Sequence, residues 1–171
     1  MYLNQIVKVR SYSFTCPKDT CLVGLDISPD MQSLAQRNAQ IYGLMDRTEY
    51  RLGNCDQMPI DDNTFDAVFT SGSLHEWANP CGAFDEIWRV LKRGGRYFIS
   101  DLRRDMSGVM KTFLSLSVRP TEMRAGLGTS IRAAYTPSEL QAMLAKTCLK
   151  EGKVTSNMIG VNIYGVKHPT P

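Results

Sequence analysis

Residues 21–31 read Cys21-Leu-Val-Gly-Leu-Asp-Ile-Ser-Pro-Asp-Met31 and change period part-way through. The first half is an apolar run of strand length that ends in an acid, Asp26. The second half is a helix start: Ser28 as cap, Pro29 at the first helical position, Asp30 in the first turn. Met31, Leu34, Ala35, Asn38 and Ile41 then recur at helical spacing, and Gly43 is a natural stop. A strand running directly into a capped helix is the unit of an alternating α/β fold.

The same alternation continues downstream. Thr48 to Leu52 and Asp66 to Thr70 read as strands, with a polar loop from Gly53 to Thr64 between them. Pro80 opens a helix with Phe84, Ile87, Trp88 and Leu91 on one face, and the Gly94-Gly95 pair is expected to end it. Arg96 to Leu102 is a further strand. Residues 105–128 carry Met106, Val109, Met110, Phe113 and Leu114 at helical intervals, interrupted by Pro120. Thr136-Pro-Ser-Glu139 is a capping box that predicts a helix to about Cys148. Lys153 to Ser156 and Val161 to Lys167 read as a closing antiparallel pair. The fold class is therefore α/β: a Rossmann-like, mainly parallel sheet with helices on both faces and a C-terminal antiparallel strand pair.

Composition sets outer bounds. The chain has 171 residues, 43% hydrophobic and 22% charged, which predicts one domain over 1–171 with a core of its own. Net charge is +3, and the densest basic stretch (Arg89, Lys92, Arg93, Arg96, Arg103, Arg104) reads as solvated surface, so no nucleic-acid partner is expected. No apolar run reaches membrane-span length and no export signal is seen, which makes the cytoplasm the expected compartment. Cys16, Cys21, Cys55, Cys81 and Cys148 form no C-x-x-C, and His75 and His168 lack ligand-like spacing to them. Free thiols and no metal site are expected.

In an open α/β sheet, ligands bind at the carboxyl ends of the strands. The residues to weigh are thus Asp26-Ile27-Ser28, Asn54 to Gln57, Ser71 to His75, and Asp101-Leu102-Arg103. Asp26 can accept from a ribose diol or merely cap a turn. Asp56 can accept from an exocyclic amine or be a plain loop acid. Their separation by one strand–helix–strand unit says more than either alone.

Five pieces, in order, resemble the class I S-adenosylmethionine-dependent methyltransferases, above all the small-molecule branch that includes the quinone C-methyltransferases. They are Gly24 to Met31; Gly53-Asn-Cys-Asp-Gln-Met-Pro59; Asn63-Thr-Phe-Asp-Ala-Val-Phe69; Ser71 to Trp77; and Glu86 to Gly95 leading into Tyr97-Phe-Ile-Ser-Asp101. The resemblance implies S-adenosylmethionine as cofactor and a small-molecule acceptor. It implies that Asp26 holds the ribose hydroxyls and that Ile27 and Met31 pack on the adenine. Cys55 would offer its backbone N–H to the adenine ring, Asp56 would accept from its amine, and Ser71 would lie beside the methionine part. His75 and Trp77 would face the acceptor. By position and pKa class His75 is the candidate general base, with Glu76 as the alternative, or it is a loop histidine that hydrogen-bonds locally. Residues 105–135 would form a lid, in which Phe113, Met123 and Tyr135 suit a partly apolar acceptor or a packed core.

One departure is large. The family's first strand ends in a glycine-rich turn that approaches the cofactor's methionine end, and residues 1–20 contain no G-x-G. That strand belongs centrally, between those of Leu22 and Val68, so its loss would strand two rows of backbone groups. Three explanations compete: a truncated or wrongly started chain, residues 5–10 filling the slot, or a second chain filling it in a homo-oligomer. Filling by Ile6 to Val9 is favoured. With so few residues before Cys21, that insertion should be antiparallel, since a parallel crossover needs about a dozen or more. The alternatives to an active methyltransferase are a nicotinamide oxidoreductase and a non-catalytic relative with an incomplete cofactor site.

Overall fold

The computed structural model describes residues 6–8, 21–118 and 123–168. The expectations for Ser11 to Thr20, Val9 and Pro120 lie outside them. In chain order the elements are β1 (Ile6–Lys8), β2 (Leu22–Asp26), α1 (Pro29–Ile41), β3 (Thr48–Leu52), β4 (Phe65–Ser71), α2 (Pro80–Val90) and β5 (Leu91–Leu102). They continue with α3 (Gly108–Ser117), α4 (Met123–Ala133), α5 (Pro137–Leu144), β6 (Lys153–Ser156) and β7 (Gly160–Val166). Short 3-10 turns, Met45–Arg47 and Leu74–Glu76, precede β3 and α2.

The seven strands form one sheet in the order β3-β2-β1-β4-β5-β7-β6. Strands β2 to β6 share one direction, and β1 and β7 run against them. The slot between β2 and β4 is filled by β1, antiparallel to both. Ile6 pairs with Leu25, Val7 with Gly24 and Phe69, and Lys8 with Val68. The inserted strand supplies ladder partners to two edges that would otherwise be unpaired within the sheet. Its reversed direction puts its amino end, at Ile6, toward the carboxyl edge of β2 and β4.

Local signals explain most element starts. Ser28 Oγ accepts from Met31 N at 3.3 Å and caps α1. The capping box of α5 forms in both directions: Thr136 N donates to Glu139 Oε2 at 2.8 Å, and Glu139 N to Thr136 Oγ1 at 3.3 Å. Helix α5 ends at Leu144 rather than Cys148, because Thr147 N turns back to Leu144 O at 2.9 Å and ends the ladder. In α1 the buried line is Met31, Ala35 and Ala39. Leu34 and Ile41 lie off it and are exposed.

The Gly94-Gly95 pair does not stop a helix. Helix α2 ends at Val90, and Leu91 is already extended and fully buried. The pair forms an irregularity within β5, where pairing with β4 jumps from Phe65–Leu91 to Ala67–Arg96. Gly94 takes φ +75°, which suits glycine, and donates its N–H to Lys167 O at 2.8 Å. A Cβ on Gly95 would lie 2.7 Å from Lys92 O.

The main core gathers Val68, Phe84, Ile87, Leu91, Ile99, Leu140, Leu144 and Ile163, all essentially inaccessible. Burying such a side chain is worth about 1.5–3 kcal/mol each. A separate small core, Met106, Leu127 and Ile131, with Met110 and Leu114 packed against it, joins α3 to α4. Among the described residues, no helix is long and apolar enough to cross a membrane.

Candidate cofactor and acceptor site

The carboxyl edge carries its first polar group at the end of β2. Asp26 is 7% exposed. Its Oδ1 accepts from Ser28 N at 2.8 Å, while Oδ2 is buried and has no hydrogen-bond partner among the described residues. A buried carboxylate oxygen without a donor is unfavourable unless a ligand supplies one. Ile27 beside it is 66% exposed, an open apolar surface. Met31 is 7% exposed, so its side chain is mostly covered and offers a ligand little surface.

The loop after β3 is drawn onto this edge. Gly53 N donates to Asp26 O at 3.0 Å. A Cβ on Gly53 would lie 2.7 Å from Pro59 Cδ and 3.1 Å from Leu25 Cδ1, so the loop closes this tightly only around glycine. Gln57 N donates to Asn54 O at 3.2 Å and closes a turn over Cys55 and Asp56, with Cys55 packed against the main core. Burial, reinforced by the Asp56 charge, pushes the Cys55 thiol up to about 12, which removes it as a nucleophile at neutral pH. Asp56 packs beside the start of α2: a Cβ on Gly82 would lie 3.2 Å from its Cβ.

Arg89 of α2 fastens that loop. Its guanidinium donates to Ile60 O and Asp62 Oδ1 at 2.7 Å, to Met58 O at 3.1 Å, and to both Glu86 oxygens at 2.6 and 2.8 Å. Glu86 Oε2 also accepts from Met58 N at 2.7 Å. The Arg89 bonds, with help from Met58 N, hold the Glu86 carboxyl below its ordinary range against the opposing effect of burial. A carboxylate with a depressed folded pKa stabilises the fold above its unfolded pKa and loses that contribution as pH falls through the folded value. Glu86→Gln is therefore expected to lower the urea midpoint at pH 7 and to change it little once the pH is well below the carboxylate range. An equal loss at both pH values would contradict this tether.

The loop after β4 supplies the third piece. Gly72 adopts φ +71° and donates to Ser100 O at 2.8 Å, which bends the chain away after Ser71. Ser71 is exposed at the strand end. The buried hydroxyls of Thr70 and Ser73 share a short hydrogen bond. The 3-10 turn then places His75 against the end of β5. His75 Nδ1 lies 2.9 Å from Asp101 Oδ1 and 3.0 Å from Oδ2, and His75 N donates to Oδ2 at 2.7 Å. The side chains of His75 and Asp101 are 4% and 2% exposed. Hydrogen bonding to Asp101 raises the His75 pKa; burial opposes this, and the Asp101 and Glu76 charges add to it.

Trp77 does not face an acceptor. It is 9% exposed and packs edge-on against Phe84, with ring centroids 6.0 Å apart. Its apolar area is better used in the core. In the 105–135 region, Phe113 is 60% exposed, while Tyr135 packs on the main core; the Met123 side chain lies outside the described residues. The edge thus brings together Asp26, the Cys55-Asp56 turn, Ser71 and His75. Asp101 is the partner that strand-end inspection reached without assigning it a role. The signal was present: it is a second acid that closes an apolar strand, like Asp26.

Residues 13–99 match the family described as methyltransferase domain, half of the chain. The chain belongs to the methyltransferase domain family. Two similar methyltransferases are the demethylmenaquinone methyltransferases of Lactiplantibacillus plantarum and Symbiobacterium thermophilum. The first is 40% identical over 75 residues, covering 44% of this chain and 32% of the relative. The second is 32% identical over 106 residues, covering 57% and 42%. This methyltransferase domain thus spans less than half the length of either. Among solved structures it is similar to a SAM-dependent methyltransferase from Aquifex aeolicus (TM-score 0.61, 19% identity, 85% of this chain and 68% of that one). It is also similar to the [4+2]-cyclase SpnF (TM-score 0.52, 21% identity, 85% and 65%). The methyltransferase fold alone therefore does not fix the reaction.

Proposed function

We propose that this domain binds S-adenosylmethionine at the carboxyl edge and transfers its methyl group to a small-molecule acceptor. The observation that carries the reading is Asp26 Oδ2, buried and without a donor among the described residues, at the place where a ribose diol would supply one. The residues fit the adenosine half of the cofactor. Asp26 would hold the ribose hydroxyls, Ile27 would flank the adenine, and the Cys55-Asp56 turn would meet its edge. Ser71 would lie beside the methionine part. The bound cofactor supplies an electrophilic methyl group, and the chain contributes positioning and exclusion of water. His75 acts as the general base, and the relatives' names make a quinone-type ring a reasonable acceptor class.

A second reading has its own observation. Residues 1–20 hold no glycine-rich turn of the family's kind, and antiparallel β1 occupies the slot between β2 and β4. A non-catalytic relative would tolerate that loss. Calorimetric titration of the folded 171-residue chain with S-adenosylmethionine and S-adenosylhomocysteine separates the two. Micromolar binding is expected. A folded chain that binds neither ligand would discard the methyltransferase reading in favour of the second. Given binding, His75→Ala should lower turnover and leave cofactor affinity nearly unchanged; equal losses in both would remove its role as base.

A further inference from the structure

We infer that Asp101 is the positioning residue that makes Nε2 of His75 the proton-accepting atom of the site, and that the acceptor carries an acidic proton on the atom to be methylated. This deepens the methyl-transfer reading and rests on it.

An ionised carboxylate only accepts hydrogen bonds. With both Asp101 oxygens at 2.9–3.0 Å, His75 Nδ1 must carry its proton toward Asp101. The lone pair of the neutral ring is then on Nε2. The same carboxylate also accepts from His75 N at 2.7 Å and from Leu102 N at 2.7 Å. Asp101 therefore fixes the backbone and the ring of His75 together. Its own place is fixed by β7: a Cβ on Gly160 would lie 2.8 Å from Asp101 O, so the two strands meet closely there.

His75 Nε2 is buried with no hydrogen-bond partner among the described residues. Glu76 Oε1 is 3.7 Å away, too far for a hydrogen bond but near enough to favour a positive ring. The other ionisable groups around the pair are directed elsewhere or act weakly. The Tyr135 hydroxyl feels the Asp101 charge, and Arg104 pairs with Glu139. On α4, which packs on the His75 turn, Arg124 reaches Leu116 O and Arg132 reaches Thr129 Oγ1. An oriented, unpartnered, buried acceptor nitrogen suits an acceptor that arrives with a proton to give. The proton of an acceptor O–H or acidic C–H moves to Nε2. The electron pair it leaves behind forms the new bond to the methyl carbon, and the carbon–sulfur pair leaves with sulfur as a neutral thioether. Phenols, hydroquinones and enols meet this description; an ether does not.

The chain contains two histidines, His75 and His168, so ring 15N NMR of histidine-labelled protein reads each one. In the unaltered chain His75 should show a protonated Nδ1 and a free Nε2. In Asp101→Asn its titration midpoint should fall by about one pH unit or more, with S-adenosylhomocysteine affinity within about threefold of the parent. Asp101→Glu should recover part of the midpoint. A protonated Nε2 in the neutral unaltered chain would overturn the inference without any variant, and so would an unmoved midpoint in folded Asp101→Asn. With S-adenosylhomocysteine present, phenol at millimolar concentration should shift the Nε2 resonance and anisole should not. Equal responses to the two, or none to phenol, would overturn the acceptor class. Absent S-adenosylhomocysteine binding with the Nδ1-protonated ring intact would instead sink the cofactor reading and leave the Asp101–His75 geometry standing.

Discussion

Asp26→Asn is expected to weaken S-adenosylhomocysteine binding by about 10- to 100-fold, the 1.5–3 kcal/mol typical of a hydrogen bond to a charged group. Asparagine keeps one oxygen, and that oxygen can still accept from Ser28 N, now at 2.8 Å from Oδ1. The turn into α1 should therefore survive. The change falls on Oδ2, which has no donor among the described residues. Replacing it with an NH2 group sets a donor against ribose hydroxyls and removes the charge. Calorimetry should register the loss while the urea midpoint moves little. Unchanged affinity would take Asp26 out of the site. A fall in stability as large as the fall in affinity would mean that Asp26 serves the turn rather than a ligand.

Much of this edge could be read from one-dimensional pattern because its signals are local. Ser28-Pro29-Asp30 and Thr136 to Glu139 are helix starts whose partners lie within three residues, and both form as expected. The β1 insertion was legible for a different reason. A vacant central slot is a hydrogen-bonding deficit, and Ile6 to Val9 was the stretch of strand character available before Cys21. What escaped the sequence depends on contacts far along the chain. Gly94-Gly95 looks like a helix stop, yet its meaning comes from Phe65 on β4 and Lys167 just after β7. Trp77 follows a candidate histidine, yet Phe84 draws it into the core. Asp101 and His75 are 26 residues apart, and only the β4–β5 pairing brings the turn after one strand to the end of the next.

Val7→Pro should be the most damaging single change to the fold. Val7 is the β1 residue that pairs with both neighbours, Gly24 on β2 and Phe69 on β4. Proline removes the amide donor and is excluded from central strands. Each buried backbone partner left unsatisfied costs about 1–3 kcal/mol, against a total domain stability of about 5–15 kcal/mol. The urea midpoint should fall markedly, whereas Val7→Thr, which keeps the amide and the branched β-carbon, should stay near the parent. An unmoved midpoint in Val7→Pro would mean that β1 does not hold the slot, and the sheet would need its central strand from elsewhere. Ile6 pairs with Leu25, the residue before Asp26, so loosening β1 should also weaken S-adenosylhomocysteine binding. Asp26→Asn should lose affinity with its stability intact, and Val7→Pro should lose both. That crossing of readouts separates the ligand site from the strand that supports it.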